Sequence, residues 1–430
     1  MDSKTIKIIQ ERESNVRSYV RSFPTTFEKS KDSIIWDEHG RRFIDFFAGA
    51  GSLNYGHNNQ IVNNAVIDYL KQDGILLSLD KSTKAKVDFI QSFVDIILKP
   101  RDLDYKLQFT GPTGTNVVEA ALKLARKVKK RSGIFAFTNA YHGATIGSLS
   151  VTANTAYRNE FYGIQSNVSF LPFDGYFGND VNTANYIEKI LTDKSSGYEI
   201  PAAMIVECVQ GEGGINIASK KWLRSISEIC KKFDILLILD EIQIGNGRSG
   251  SFFSFEEAGI VPDMVCMSKS IGGGFPMSLL LLKPEIDQWK PGEHSGTFRG
   301  NNLAFVAAKE LLSYWKDDQF VNEIAAKSLI VKNRLEMLAN NELCSIKAIR
   351  GKGLIWGIEL ELPELASKIT KKAFEKGLLI ETCGSLKNII KLMPPLVIEN
   401  ALLEEGLNLL FESFNEVIAE NTQHLQVKLV

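Results

Sequence analysis

The sequence predicts an α/β protein, with a large domain on a mainly parallel central sheet and a smaller α+β domain. From about residue 105 to residue 282, short unbroken apolar runs alternate with amphipathic helical stretches. That is the texture of strands covered by helices on both faces. From about residue 320 the texture changes, with strand-like segments mixed with helical ones. At roughly 150 residues per domain the length suggests about three units, although large α/β proteins often manage with two. At 430 residues, with 44% hydrophobic and 10% aromatic residues, the chain can bury a large core. Its 23% charged residues exclude intrinsic disorder.

The first 35 residues are polar, with a weak helical pattern, and read as an N-terminal arm. Ser33–Asp45 alternates around Glu38-His39-Gly40, which predicts a β-hairpin. Buried strands are expected at Lys106–Thr110, Ile134–Thr138, Ala202–Val206, Ile235–Leu239, Met264–Ser268 and Leu279–Leu282. Asn116–Arg131 is the strongest helix, with Val117, Ala121, Leu124, Ala125 and Val128 on one face and basic residues at its C-terminal end. Thr115 is its expected N-cap. A helix near Leu303–Trp315 precedes strands at Ile346–Arg350 and Leu354–Leu362, a helical run from Pro363, strands at Leu378–Glu381 and Asn388–Met393, and a helix around Leu403–Ile418. The expected division is an N-terminal arm (1–60) joining a C-terminal small domain (321–430), with a large domain (61–320) between them.

Fifty basic and 51 acidic residues give a formal net charge of -1, so nothing global draws the chain to nucleic acid or to an anionic membrane. Small molecules and other protein chains are the expected partners. Cys208, Cys230, Cys266, Cys344 and Cys383 are odd in number and form no C-x-x-C pair. This argues against a disulfide framework or a structural zinc and fits a reducing compartment. No apolar run reaches the roughly 20 residues of a membrane span, and the N-terminus lacks a signal peptide's apolar stretch. A cytoplasmic protein is expected.

Asp240 ends an apolar run and is followed by Glu241. In an open parallel sheet, ligands bind beyond the carboxyl ends of the strands; an acid there is either functional or an ordinary strand-end cap. The same pattern occurs in P-loop ATPases, but no G-x-x-x-x-G-K-[ST] loop is present. Lys269 follows the next apolar run and precedes Gly272-Gly273-Gly274. Burial there would lower its pKa and make the amine a nucleophile or base, unless it reaches solvent past the glycines. A lysine and a carboxylate ending neighbouring strands are what pyridoxal 5'-phosphate requires: an amine for the aldehyde and an acid for the pyridine nitrogen. Thr110–Thr115 offers a glycine loop at a helix N-terminus for the phosphate. Tyr141, before His142-Gly143, offers an aromatic face. Taken singly, the loop could be only a turn and the tyrosine only a packed ring; one sheet edge carries all of them.

The runs IVECVQGEGG (205–214), LDEIQIGNGRSG (239–250), SKSIGGGFP (268–276) and HSGTFRGNN (294–302) resemble the class III, or ω-amino, pyridoxal-phosphate aminotransferases over nearly the whole chain. FIDFFAGAGSLNYGHNN, LDYKLQFTGPTGTN and QWKPGEHSGTFRGNN are similar, within that class, to the diaminobutyrate–2-oxoglutarate transaminases. The resemblance implies a fold-type I enzyme that moves an amino group from L-glutamate to aspartate 4-semialdehyde. It assigns Lys269 to the cofactor aldehyde, Asp240 to the pyridine nitrogen and Gln243 to the ring hydroxyl. Gly114 and Thr115 match the phosphate loop, Tyr141 the stacked ring, and Glu207 an acid near the cofactor. His142, next to Tyr141, reads either as a residue touching the ring or as a packed histidine. Thr297 matches a threonine that reaches the neighbouring subunit's phosphate, which makes a homodimer the active species. Glu212 matches a glutamate that swings to admit either an ω-amine or an α-amino acid.

The chain departs from that pattern in two places. Lys391 stands where many relatives have an arginine, and a lysine lacks the bidentate fork. The turn Gly272–Pro276 replaces the Ser-Gly-Tyr-Gly expected of ectoine-type relatives. Alternatives are another ω-aminotransferase (ornithine, 4-aminobutyrate or another diamine), an aminomutase of the same fold, a dinucleotide oxidoreductase, which lacks its G-x-G-x-x-G fingerprint, and a non-catalytic binding protein. His57 reads as a turn residue, and Gly49-Ala50-Gly51 as a tight turn or room for substrate.

Overall fold

In a computed structural model, residues 4–163, 167–178, 180–339 and 346–428 are described; Cys344 lies outside them. The N-terminal part contributes β1 (Phe27–Lys31), β2 (Ile34–Asp37) and β3 (Arg42–Asp45). The hairpin expected at Ser33–Asp45 is β2 paired antiparallel with β3. Its turn is closed by Asp37, whose Oδ1 accepts from the backbone N–H of His39 and of Arg41 at 3.0 and 2.9 Å. The strand β1 was not expected, because three of the five residues of Phe27–Lys31 are charged and the strand pairs only at an edge.

The central sheet has seven strands: β4 (Lys106–Phe109), β5 (Ile134–Phe137), β6 (Val168–Leu171), β7 (Ala203–Val206), β10 (Leu236–Asp240), β11 (Met264–Met267) and β12 (Leu279–Leu282). A two-residue ladder, β8 (Val209–Gln210) with β9 (Asn216–Ile217), branches off after β7. The order in the central sheet is β4-β12-β11-β10-β7-β5-β6. Neighbours pair in parallel except at β12, which runs against both β11 and β4. The sheet is therefore mainly parallel, as expected.

Side-chain alternation explains the unbroken apolar runs. Leu237, Leu239, Val265, Met267, Leu279 and Leu281 pack into one core. Leu236, Ile238, Met264, Cys266, Leu280 and Leu282 pack into a second core on the other face. Helix Lys220–Lys232 covers the first through Trp222, Leu223 and Ile226, and helix Gly114–Lys129 covers the second through Val117, Ala121 and Leu124. With both faces covered, a polar residue at either parity would be stranded. The described cysteines Cys208, Cys230, Cys266 and Cys383 are buried free thiols.

Helix Gly114–Lys129 begins earlier than the sequence indicated, and Thr115 is not its N-cap. Thr113 precedes the first turn and makes no side-chain cap bond. The Thr115 hydroxyl instead pairs with the Thr145 hydroxyl at 2.6 Å, a neighbour that sequence periodicity does not reveal.

The C-terminal part forms β13 (Ile346–Lys352), β14 (Ile355–Leu360), β15 (Leu378–Leu379), β16 (Glu381–Cys383) and β17 (Ile389–Leu392). β13-β14-β17-β16 is an antiparallel sheet, and β15 joins the N-terminal sheet beside β3 in parallel. The single strand expected at Leu378–Glu381 is thus two, serving different sheets on either side of Ile380.

Arg248, in the loop after β10, is wholly buried. Its Nη1 donates to the carbonyls of Leu354 and Pro394 at 2.8 and 2.6 Å, and its Nη2 donates to Asn54 Oδ1 at 2.7 Å. One guanidinium so joins the N-terminal part, the central sheet and the C-terminal part. Replacing Arg248 by Ala strips these acceptors of their donor, at an expected cost of about 3 kcal/mol or more. The thermal midpoint should fall by several degrees; an unchanged midpoint would show that the bonds contribute no net stability.

Candidate active site

The carboxyl ends of the parallel strands deliver the polar residues to one edge. Asp240 is the last residue of β10, and its neighbour β11 leads through Ser268 to Lys269. Asp240 Oδ2 lies 2.7 Å from His142 Nδ1, and Asp240 Oδ1 accepts the N–H of Ile242 at 3.0 Å. Both side chains are buried. Burial works against a proton on His142, but the hydrogen bond and charge of Asp240 outweigh it, so the imidazole pKa lies above its usual value. His142 Nε2 has no partner among the described residues.

Glu207, just past β7, accepts the Tyr141 N–H at 3.0 Å. Burial first, and then the charge of Asp240, push its pKa up to about 8. Lys269 occupies the left-handed region at φ 53°, where a residue with a β-carbon is strained. Burial lowers its pKa, and nearby Lys391 acts in the same sense, against the pull of Glu212 and Asp240. A part of the Lys269 amines is therefore neutral at a lower pH than for an ordinary lysine, which suits a nucleophile or base.

A cavity of about 290 Å³ is lined by Lys269, Asp240, Glu207, Glu212, Gln243, Tyr141, His142, Gly114 and Thr115. It opens on the N-terminus of helix Gly114–Lys129, where the first-turn N–H groups and the helix dipole favour an anion. Two glycines keep this end clear. A β-carbon on Gly114 would stand 3.1 Å from Ile242 Cγ2, and one on Gly143 (φ 127°) would stand 2.7 Å from Thr115 Oγ1. The Gln243 amide donates to the Ala50 carbonyl at 3.1 Å and to Glu212 Oε1 at 2.9 Å, which leaves its own Oε1 without a partner among the described residues. The run Ala48–Gly51 is left-handed throughout, and a β-carbon on Gly51 would stand 3.3 Å from Gln243 Cγ. The small residues of that run let the backbone approach Gln243.

Lys391 does not line the cavity. It is fully buried on β17, behind Glu212, and donates to Glu212 Oε1 at 2.6 Å. Glu381 lies directly opposite Lys391 on β16, with Oε1 2.9 Å from the same ammonium. Burial opposes the charge on Lys391, but the two acids outweigh it and hold its pKa well above the usual value. Burial likewise opposes ionisation of Glu212, yet Lys391 and Lys269 hold it at about 2. Sequence reading missed Glu381. The available signal was a single acid and a single base set in two apolar strand candidates, but their register was not legible.

Thr297 is exposed on the loop after Trp289 and lies away from the cavity within one chain. His57 is also outside it, with Nε2 2.7 Å from the buried Asp45. A smaller cavity of about 170 Å³, bordered by Tyr157, Asn154 and Ser385, shares Tyr141 and Glu212 with the first. Tyr157 was another omission.

A family profile, aminotransferase class-III, matches residues 16–414. A diaminobutyrate–2-oxoglutarate transaminase of Wolinella succinogenes is 55% identical, with 96% of this chain and 97% of that protein covered. One of Bordetella parapertussis is 51% identical, with 98% of each chain covered. Among solved structures, the ornithine aminotransferase of Toxoplasma gondii, described with partial occupancy of PLP at its active site, superposes with a TM-score of 0.85 at 25% identity, covering 98% of this chain and 96% of that one. A Virgibacillus transaminase shares the fold, with a TM-score of 0.87 at 20% identity over 97% and 100% of the two chains.

Glu241, next to Asp240, points away from this cavity. Its carboxylate accepts the Ser254 N–H at 3.0 Å, and the Ser254 hydroxyl bonds it as well. Burial raises its pKa to about 8. Folded Glu241 thus keeps a proton that the unfolded chain gives up at the ordinary carboxylate pKa. Its contribution to stability is complete below that pKa and is lost as pH rises towards 8. Relative to Glu241→Gln, the wild type should lose on the order of 1–4 kcal/mol between pH 5 and pH 8. Thermal midpoints of both proteins across that range test this, and parallel curves would refute it.

Proposed function

Because this chain belongs to the class-III aminotransferases, we propose that it exchanges an amino group between L-glutamate and aspartate 4-semialdehyde, giving 2-oxoglutarate and L-2,4-diaminobutyrate, with pyridoxal 5'-phosphate as cofactor. The observation that carries this reading is near full-length identity of 51–55% to relatives named for that reaction, together with a cavity whose free groups fit the cofactor. The free first-turn N–H groups at Gly114 and Thr115 suit its phosphate. Asp240, tied to His142 at 2.7 Å, suits the pyridine nitrogen, and the unpartnered Gln243 Oε1 suits the ring hydroxyl. Tyr141 suits the ring face, and Lys269 the aldehyde. When bound, the cofactor supplies the aldehyde that captures amines and the ring that accepts the electron pair left at the substrate Cα.

The chain's own residues then divide the work. Lys269, its pKa lowered by burial, takes the Cα proton and returns it one atom away. Asp240, held in place by its hydrogen bond to His142, would face the ring nitrogen. Glu207, with a pKa of about 8, stays largely neutral at pH 7 and adds no second charge there. Glu212 closes over Lys391 for an ω-amine and swings aside for glutamate, so that Lys391 meets the second carboxylate as a point charge.

We further propose a homodimer in which Thr297 of one copy reaches the phosphate end of the other. Exposed Leu76, Leu77 and Phe298 border one groove with Pro112 and Pro276. These prolines also border a groove containing Gly114 and Lys269, so apolar surface adjoins the cofactor end. In this reading, residues 61–320 carry the cofactor and residues 1–60 with 321–430 complete the substrate side. Buried free thiols support a cytoplasmic enzyme.

The visible absorption of the holoenzyme is the direct test. L-Glutamate alone should bleach the yellow band, and aspartate 4-semialdehyde should restore it; a band indifferent to both removes the proposal. Lys269→Ala should keep the fold, by circular dichroism, and lose at least about a thousandfold in turnover. Thr297→Val should weaken cofactor retention about tenfold without dissociating the dimer in sedimentation; unchanged retention would remove its assignment.

A further inference from the structure

Two buried carboxylates share one buried ammonium behind the proposed reaction centre. Lys391 has no exposed surface, and the Glu381 side chain is 10% exposed. Lys391 makes its hydrogen bond to Glu212. The same ammonium is ion-paired with Glu381 Oε1 at 2.9 Å, so it is shared between two carboxylates. Burying two carboxylates against a single ammonium is costly, because one of the two charges is left uncompensated within the set. Lys391 is the cation that pairs with both acids, and Lys269 acts on them only from a distance. Gln243 donates to Glu212, and Tyr19 and Tyr157 lie within the field of both acids. Lys269 feels that field too, so the surplus charge lies within reach of the group that reacts.

We propose that Glu381 is a specificity-determining residue, whose carboxylate makes the closed Glu212–Lys391–Glu381 set anionic and selects substrates carrying a second ammonium beyond the reacting amine. The inference rests on the diaminobutyrate reading above and names the group that distinguishes that diamine from a simple ω-amine. When diaminobutyrate presents its 4-amino group to the reaction centre, its α-ammonium extends away from it and supplies the second cation that the two acids lack. Its α-carboxylate makes no such demand, because 4-aminobutyrate has the same carboxylate and lacks only the α-ammonium.

The glutamate half-reaction responds in the opposite sense. With Glu212 swung out, Glu381 remains beside Lys391 and partly neutralises it, so the second carboxylate of glutamate meets a lysine–glutamate pair in place of a free cation. Removing the Glu381 charge therefore weakens capture of the diamine and strengthens capture of glutamate. A residue that only kept the sheet in shape would move both half-reactions in the same direction.

The test follows bleaching of the holoenzyme band in single turnovers with L-2,4-diaminobutyrate, 4-aminobutyrate and L-glutamate. The wild type should prefer diaminobutyrate over 4-aminobutyrate in kcat/KM. Glu381→Gln, which keeps the shape and removes the charge, should cut that preference about tenfold through KM, with KM for glutamate unchanged or lower. Glu381→Asp should restore a large part of the preference. A Gln variant that keeps the full preference, or that loses all three amines alike, overturns the inference while leaving the proposed reaction standing. If the Gln variant does not accumulate as soluble holoenzyme, the wild type decides: equal kcat/KM for diaminobutyrate and 4-aminobutyrate overturns it. A wild type that bleaches with glutamate but with neither ω-amine is a different failure, that of the substrate reading, and takes this inference with it.

Discussion

Arg248 is buried with no carboxylate ion pair among the described residues, and its hydrogen bonds run to acceptors from residues 54, 354 and 394. Desolvation pulls its pKa down to about 9, a measure of how much the charge resists this position. It remains because two carbonyl oxygens of the C-terminal part and an amide oxygen of the N-terminal part accept from it. The same loop continues the strand that ends in Asp240, and the same C-terminal part carries Glu381 and Lys391. The position of the carboxylate pair at Lys391 relative to Asp240 and Lys269 therefore depends on this guanidinium.

The site is organised by charge as much as by shape. Asp240 and His142 are hydrogen-bonded at 2.7 Å at the floor of the cavity, and that bond raises the imidazole pKa against the effect of burial. Glu207, close to both, is kept largely protonated by burial, so the floor does not accumulate two anions. On the far wall the ordering differs. Glu212 ionises readily beside Lys391, whereas Glu381 is pushed above its usual pKa by burial and by Glu212, against the pull of Lys391. Neighbouring carboxyl groups are thus set apart by their surroundings, which lets one family of side chains serve several tasks at one pH.

Backbone strain also shapes the cavity, although left-handed residues occur elsewhere in the chain as well. Lys269 and the run Ala48–Gly51 adopt left-handed conformations that cost residues with β-carbons about 1 kcal/mol or more each. At Lys269 the strained turn directs the amine from the strand end into the cavity. At Ala48–Gly51 it brings the Ala50 carbonyl to the Gln243 amide, which turns the other amide atom free. Both distortions are held by the packing of β11 and of the N-terminal sheet.

Much of this was legible in the sequence, for a physical reason. Apolar runs of strand length force burial on both faces, so the residue that ends each run must lie at the sheet edge where a ligand can bind. That placed Asp240 and Lys269 together, with Gly114 and Tyr141 at the same edge, before any coordinates. Strands dominated by polar residues, Phe27–Lys31 above all, carried no such signal. The cap of helix Gly114–Lys129 was misread because Thr115 is engaged by Thr145, a neighbour only in space. Glu381 meets Lys391 through antiparallel register between β16 and β17, and Glu212 meets both through the branch after β7. Composition and periodicity fix which face a residue takes within its own strand. Which strand lies beside it, and therefore which charge it must answer, was decided only by the tertiary structure, because pairing of distant segments is set by the packing of the whole chain.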